Sequence, residues 1–221
     1  MQLGVDEAGK GPVLGSMFAA CVRASVDDLP AGIADSKRLS ADHRESLAEQ
    51  IRETADAVAV TEIPVERIDD PETDMNGLTV AAHAETLSEA AGEGLPRDGL
   101  PCYLDAADTN AVRFERRVGE RVNPDIDLRA KHGADDEHPI VSAASIITKV
   151  CRDAHVADLA ASYDGRGYGD IGSGYPSDPT TRQFLRRYVE SEEQLPDCAR
   201  QSWQTSQDVL ASLDQATLEE F

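Results

Sequence analysis

Two β-compatible stretches near the N-terminus constrain this chain more than any other feature. Residues 1–5 and the apolar run VLGSMFAACVRA at 13–24 flank a glycine turn, an arrangement that predicts a hairpin. Beyond them the pattern alternates. Helical spacing predicts helices over 41–54 (Ser40 as N-cap, Leu47 and Ile51 inward), 78–91, 111–122, 142–162 and 180–191. Strand patterns at 57–63, 102–104 and 126–130 lie between them. A hairpin followed by alternating elements predicts an α/β fold with a mixed rather than purely parallel sheet, flanked by helices and closed by a C-terminal helical extension. The expected division is a core over 1–178, a helical extension over 179–213 and a tail over 214–221.

The stretch between the first two strands reads GVDEAGKGP. Gly4 to Lys10 spells G-x-x-x-x-G-K, yet the next residue is Gly11, where a P-loop needs Ser or Thr to hold Mg²⁺. Asp6 and Glu7 would also face a triphosphate with like charge. The stretch therefore fails as a nucleotide loop. It suits a divalent cation held by Asp6 and Glu7, with Gly9, Lys10 and Gly11 leaving room for a phosphate backbone. Asp105 follows a strand in YLDAAD, and Asp135 precedes a long helix in KHGADDEHP. Carboxylates at strand ends and helix starts repel one another unless a cation lies between them. Hard oxygen donors point to Mg²⁺ or Mn²⁺ rather than zinc. Asp is also a common turn former, so no single position carries the reading.

Charge enters here, because a phosphate-binding reading meets a net charge of −21. The acidity is evenly spread and mixed with apolar periodicity, which excludes disorder. Of the 21 basic residues only four are lysine (Lys10, Lys37, Lys131 and Lys149), and each lies inside a motif. Such a surface fits multimolar salt, where the Debye length falls to about 3 Å and surface repulsion is screened. No apolar run is long enough to span a membrane and no signal peptide is evident, so a cytoplasmic, membrane-free monomer is expected. The four scattered cysteines read as reduced core residues.

Seven motifs then occur in a fixed order: GVDEAGKGPVLG, DSKRL, MNGL, YLDAAD, KHGAD, VSAASIITKVCRD and GSGYPSDP. In this the chain resembles ribonuclease HII, the type 2 ribonuclease H family, in its archaeal form, from residue 1 to about 203. The resemblance implies a ribonuclease H-like fold. It also implies endonucleolytic cleavage of RNA in RNA–DNA hybrids and of duplex DNA 5′ to embedded ribonucleotides, leaving 3′-hydroxyl and 5′-phosphate ends. The expected role is ribonucleotide excision and RNA primer removal. Two cations about 4 Å apart would bridge the scissile phosphate.

Matched residue by residue, the resemblance makes Asp6, Glu7, Asp105 and Asp135 the catalytic metal ligands, with Asp135 favoured over Asp136 by register. Gly9, Lys10 and Gly11 match the motif that meets the ribose 2′-hydroxyl, the group distinguishing RNA from DNA. Tyr175 matches the tyrosine that stacks on the sugar, and Tyr168 is a decoy in a similar setting. Lys149 matches a phosphate contact, and Thr148 replaces the more usual alanine. Lys37 and Asn76 match further substrate contacts. His132 and His138 read as solvated loop histidines and Trp203 as a packing anchor. The chain ends DQATLEEF, so Gln215, Leu218 and Phe221 satisfy Q-x-x-L-x-x-F, which resembles the peptide that docks replication proteins on a sliding clamp. The rival readings are a type HIII enzyme or resolvase, a phosphatase using the acidic cluster, and a non-catalytic, clamp-bound hybrid adaptor.

Overall fold

The computed structural model describes residues 1–33, 39–92, 99–123 and 125–219, with side chains through residue 213 in the last helix. Lys37 and Phe221 lie outside the described residues, as do the side chains of Gln215 and Leu218. By its internal contacts the chain divides into two compact units. The first comprises 1–8, 17–62 and 74–152, and the second 9–16, 63–73 and 153–221.

The first unit is built on a five-stranded sheet in the order β3-β2-β1-β4-β5. Its strands are β1 (Gln2–Ala8), β2 (Met17–Ala24), β3 (Ala57–Ile63), β4 (Leu100–Asp105) and β5 (Ile126–Lys131). β1 pairs antiparallel with β2 and parallel with β4, and β4 pairs parallel with β5, so the sheet is mixed. Around it lie α1 (Ala41–Thr54), α3 (Met75–Ala91), α4 (Ala111–Gly119), α5 (Ala134–Glu137) and the start of α6 (Pro139–Tyr163). The Ser40 hydroxyl caps α1 by accepting from the His43 N–H, and the Asp74 carboxylate caps α3 by accepting from the Gly77 N–H at 2.9 Å.

Alternation along β1 sets both faces of the sheet. Leu3 and Val5 join Val80, Ala84 and Leu87 of α3 and Phe114 and Val118 of α4 in one apolar layer. The other layer packs Ala20, Val22 and Ala24 against Leu47 and Ile51 of α1 and Ile140, Ala143 and Ile147 of α6. On that side Gly4 is indispensable: a Cβ there would lie 2.4 Å from the carbonyl carbon and oxygen of Ile140. Only glycine lets α6 approach β1 so closely.

The second unit contains the segment 9–16, α2 (Val65–Ile68), the C-terminal part of α6, α7 (Pro179–Glu192) and α8 (Gln204–Glu219). Its core joins Val13, Leu14, Ile171, Phe184, Leu185, Val189, Ala199 and Val209. The expected strand over 13–24 is shortened, because β2 begins only at Met17. Gly15 at φ +76° breaks the extended backbone, and Leu14 instead forms an isolated antiparallel bridge with Ala199. The helix expected over 78–91 starts earlier, at Met75, where Asp74 supplies the cap. The short helices α2 and α5 have too few residues for periodicity to show. All four cysteines are free, Cys151 half-buried and the others buried. Among the described residues no helix is long and apolar enough to cross a membrane.

Candidate active site

The same alternation that builds the core distributes the carboxylates. Asp6 shares the face of β1 that Gly4 presents to α6, and Glu7 shares the face of Val5, toward α3. Each finds a partner on its own side. The Asp6 carboxylate bonds to the Ser145 hydroxyl of α6 and accepts from the Glu7 N–H at 2.8 Å. Glu7 Oε2 lies 2.8 Å from Nε2 of His83 on α3. At the end of β4, Asp105 Oδ1 accepts from the Ala134 N–H at 3.1 Å, which ties it to the first residue of α5. Asp135 follows on α5 and is buried, and its backbone carbonyl accepts from the Ser142 hydroxyl, while Asp136 is exposed.

Burial and neighbouring acids both bear on Asp6 and Asp105. Burial drives the Asp6 carboxyl well above the usual carboxylate range, and the charges of Glu7 and Asp105 push it the same way. Burial likewise raises Asp105; the Ala134 N–H opposes this, and the charges of Asp135 and Glu7 add to it. Among the described residues, however, no three His, Cys, Asp or Glu groups are gathered into a set that could hold a metal ion as they stand. Strand alternation keeps Glu7 on the opposite face from Asp6, and like charges resist closer approach. The donors nonetheless fit a hard divalent cation: all are carboxylate oxygens, and such an ion would offset the cost of burying Asp6 and Asp105 close to other acids.

Lys149 lies one turn beyond Ser145 on α6 and donates to its hydroxyl at 2.8 Å. Its ammonium therefore reaches Asp6 through Ser145. Thr148, also buried, donates to the Ser145 carbonyl. Asn76 is exposed in the first turn of α3.

In the second unit, Gly9, Lys10 and Gly11 form a turn whose three carbonyls are all taken. Arg200, fully buried, donates from Nη2 to Gly9 O at 2.6 Å, from Nη1 to Lys10 O at 3.0 Å and from Nε to Gly15 O at 2.8 Å. Its guanidinium lies 4.8 Å over the Trp203 ring, whose Nε1 donates to Gly11 O at 3.2 Å. Trp203 thus does more than anchor helices. A Cβ on Gly11 would stand 3.8 Å from Cε1 of Tyr175, so turn and ring are neighbours. Tyr175 is 45% exposed on a loop pinned by Asp178, which accepts from the Ser173 N–H and hydroxyl at 2.7 Å and caps α7 through the Thr180 N–H. Those three donors lower the Asp178 carboxyl to about 2. Tyr168, by contrast, is tied to Glu192 at 2.5 Å and packs against Tyr188.

Two histidine readings divide. His132 is exposed, with Nδ1 3.1 Å from the Ala106 carbonyl oxygen. His138 is no solvated loop residue: it ends α5 and stacks on Tyr103 at 4.0 Å. Sequence reasoning missed His83, Ser145 and Arg200. The one local signal was a polar residue at helical spacing among Val80, Ala84 and Leu87.

A mixed five-stranded sheet with carboxylates at the ends of its first and fourth strands defines a ribonuclease H-like fold. The family model described as ribonuclease HII matches residues 3–206. A ribonuclease HII from Haloarcula marismortui is 58% identical over 221 residues, covering all of both chains. The structure is similar to that of the ribonuclease H2 from Pyrococcus horikoshii, with a TM-score of 0.84 and 31% identity over 96% of this chain and 98% of that one. It is also similar to the ribonuclease HII solved in complex with PCNA from Archaeoglobus fulgidus, with a TM-score of 0.80 and 34% identity over 95% and 96%. The chain belongs to the ribonuclease HII family, and it is an endoribonuclease with ribonuclease H activity.

Proposed function

We propose that the protein is a divalent-metal-dependent endonuclease that cuts the RNA strand of RNA–DNA hybrids and cuts duplex DNA on the 5′ side of an embedded ribonucleotide, leaving 3′-hydroxyl and 5′-phosphate ends. The observation that carries this reading is the placement of four acids in the family's motifs: Asp6 and Glu7 on β1, Asp105 at the end of β4, and Asp135 on α5, whose first residue donates to Asp105. These four would hold Mg²⁺ or Mn²⁺. When bound, such ions supply charge to offset the phosphate and a lowered pKa for the attacking water.

The chain's own residues do the rest. Lys149, joined to Asp6 through Ser145, holds positive charge beside the acids and contacts a substrate phosphate; Lys37 and Asn76 contribute further contacts. Gly9, Lys10 and Gly11 have their carbonyls occupied by Arg200 and Trp203, which supports a turn that offers N–H groups and a bare Cα surface to the ribose 2′-hydroxyl. Tyr175, exposed on its pinned loop, stacks on the neighbouring sugar. The biological role is ribonucleotide excision and RNA primer removal. The PCNA complex of the Archaeoglobus relative supports a sliding clamp as partner, engaged here by Gln215, Leu218 and Phe221.

The test is cleavage of a DNA duplex carrying one ribonucleotide, in concentrated KCl with Mn²⁺ or Mg²⁺, beside Asp105→Asn. A single cut 5′ of the ribonucleotide, absent with EDTA and in the variant, is expected. Cutting that persists in EDTA, or in Asp105→Asn at the parent rate, would refute the metal site.

A further inference from the structure

Of the four acids, Glu7 has the longest side chain and the most rotational freedom to lose. Asp6 and Asp105 each accept from a backbone N–H, that of Glu7 and that of Ala134. The partner of Glu7 is an imidazole. His83 of α3 is completely buried, and its Nε2 lies 2.8 Å from Glu7 Oε2.

Much of what surrounds that imidazole is apolar. Its ring meets Phe114 edge-on at 5.0 Å, and its helix neighbours Val80, Ala84 and Leu87 belong to the core layer. Nδ1 is buried with no hydrogen-bond partner among the described residues. A residue that only filled this space would do so better as an aliphatic or phenyl side chain, because a buried polar nitrogen without a partner is unfavourable. Among the described residues, the one hydrogen bond of the ring is with Glu7. The arrangement also selects a tautomer: a hydrogen on Nε2 donates to the carboxylate, and Nδ1 carries the lone pair.

We propose that His83 is a positioning residue for Glu7, its Nε2–H fixing Oε2 so that the carboxylate is pre-set as a metal ligand through its remaining oxygen. This rests on the reading of Glu7 as a ligand. It assigns His83 no contact with substrate or metal. The effect is on affinity for the ion, since outer hydrogen bonds to ligating groups commonly govern metal binding by about 10- to 100-fold.

The test uses the full-length protein without nucleic acid and Mn²⁺ as the probe, with free Mn²⁺ counted by electron paramagnetic resonance during titration. His83→Phe keeps an aromatic ring against Phe114 and removes the donor; it is expected to weaken Mn²⁺ binding about tenfold or more. His83→Gln places an amide N–H near the position of Nε2 and should recover most of the loss. The KM for duplex at saturating Mn²⁺ should not move in either variant. Parent-like Mn²⁺ affinity in His83→Phe overturns the proposal. Should His83→Phe fail to fold, His83→Asn against His83→Gln decides: the shorter amide cannot reach Glu7, so equal affinities overturn the proposal and weaker binding by Asn supports it. Glu7→Gln separates the two levels. If it binds Mn²⁺ as tightly as the parent while His83→Phe does not, the ligand reading of Glu7 fails, and the inference with it.

Discussion

Replacing Arg200 with methionine tests how the glycine turn is held. The guanidinium serves three carbonyls, of which those of Gly9 and Gly15 are buried and that of Lys10 is partly wet. A buried acceptor stranded by loss of its donor costs about 1–3 kcal/mol. Two such acceptors, with a smaller contribution from Lys10, give about 4 kcal/mol. For a chain of this size each kcal/mol moves the thermal midpoint by about 2–4 °C, so a fall of roughly 8–16 °C is expected. Arg200→Lys should fall between, because one ammonium cannot reproduce a planar fork that reaches three acceptors. Trp203→Phe is the mild member, losing one exposed hydrogen bond to Gly11 O, about 0.5 kcal/mol. Unfolding is followed by near-ultraviolet circular dichroism in concentrated KCl, and cleavage kinetics are read below every midpoint. If the turn reads the ribose, Trp203→Phe raises KM for a single-ribonucleotide duplex several-fold while Mn²⁺ affinity stays fixed. An Arg200→Met protein as stable as the parent, or a Trp203→Phe protein with unchanged KM, would refute the reasoning.

Three further outcomes are expected. Asp6 has a raised pKa in the fold, so its carboxyl costs the metal-free protein stability as pH rises above the ordinary 3.8; Asp6→Asn should therefore melt higher than the parent at pH 7 in EDTA while losing cleavage. Asp178 is shifted the other way, from its ordinary 3.8 to about 2, so the parent's stability advantage over Asp178→Asn should be full above pH 3.8 and vanish as pH falls through about 2, as acid unfolding curves of the two will show. A net charge of −21 predicts loss of structure on dialysis into dilute buffer and recovery in molar KCl, followed by circular dichroism.

What could be read from the sequence was what depends on local side-chain direction. Period-2 and period-3.6 patterns located β3 and α1 to the residue, and the Ser40 cap followed from its place before an apolar helix. Asp6, Glu7 and Asp105 stand out as candidates by acid type at strand ends and Asp135 by its place before a long helix, and the family motifs around them single out the set. Pairings that join distant segments were not. His83 looks like one more residue of a buried helix stripe until its partner, 76 positions earlier, is known. Arg200 meets Gly9 across 191 positions, and nothing local marks an arginine as the support of a turn. The strand expected over 13–16 failed for the same reason: the distant segment around Ala199 and Arg200, not propensity, decides the backbone there.

The scarcity of lysine sharpens what remains. Lys131 places Nζ 2.5 and 2.6 Å from the two carboxylate oxygens of Glu137. That exposed pair adds little stability by itself. It does span the segment between β5 and the end of α5, the segment that carries Asp135. Lys149 is spent on Ser145 and so on Asp6. Two of the four lysines, Lys131 and Lys149, are thus tied to groups beside the acids rather than spread over the surface as long-range charge. A protein with this composition gains little from counterion release, and in molar salt no protein does. On the proposed function, recognition rests on contacts that salt does not screen: N–H groups of the glycine turn, the Tyr175 ring, and cations that the acids would hold. The acidic surface and the sparing use of lysine are therefore consistent with nucleic-acid cleavage, because the burden has moved from long-range charge to short-range geometry.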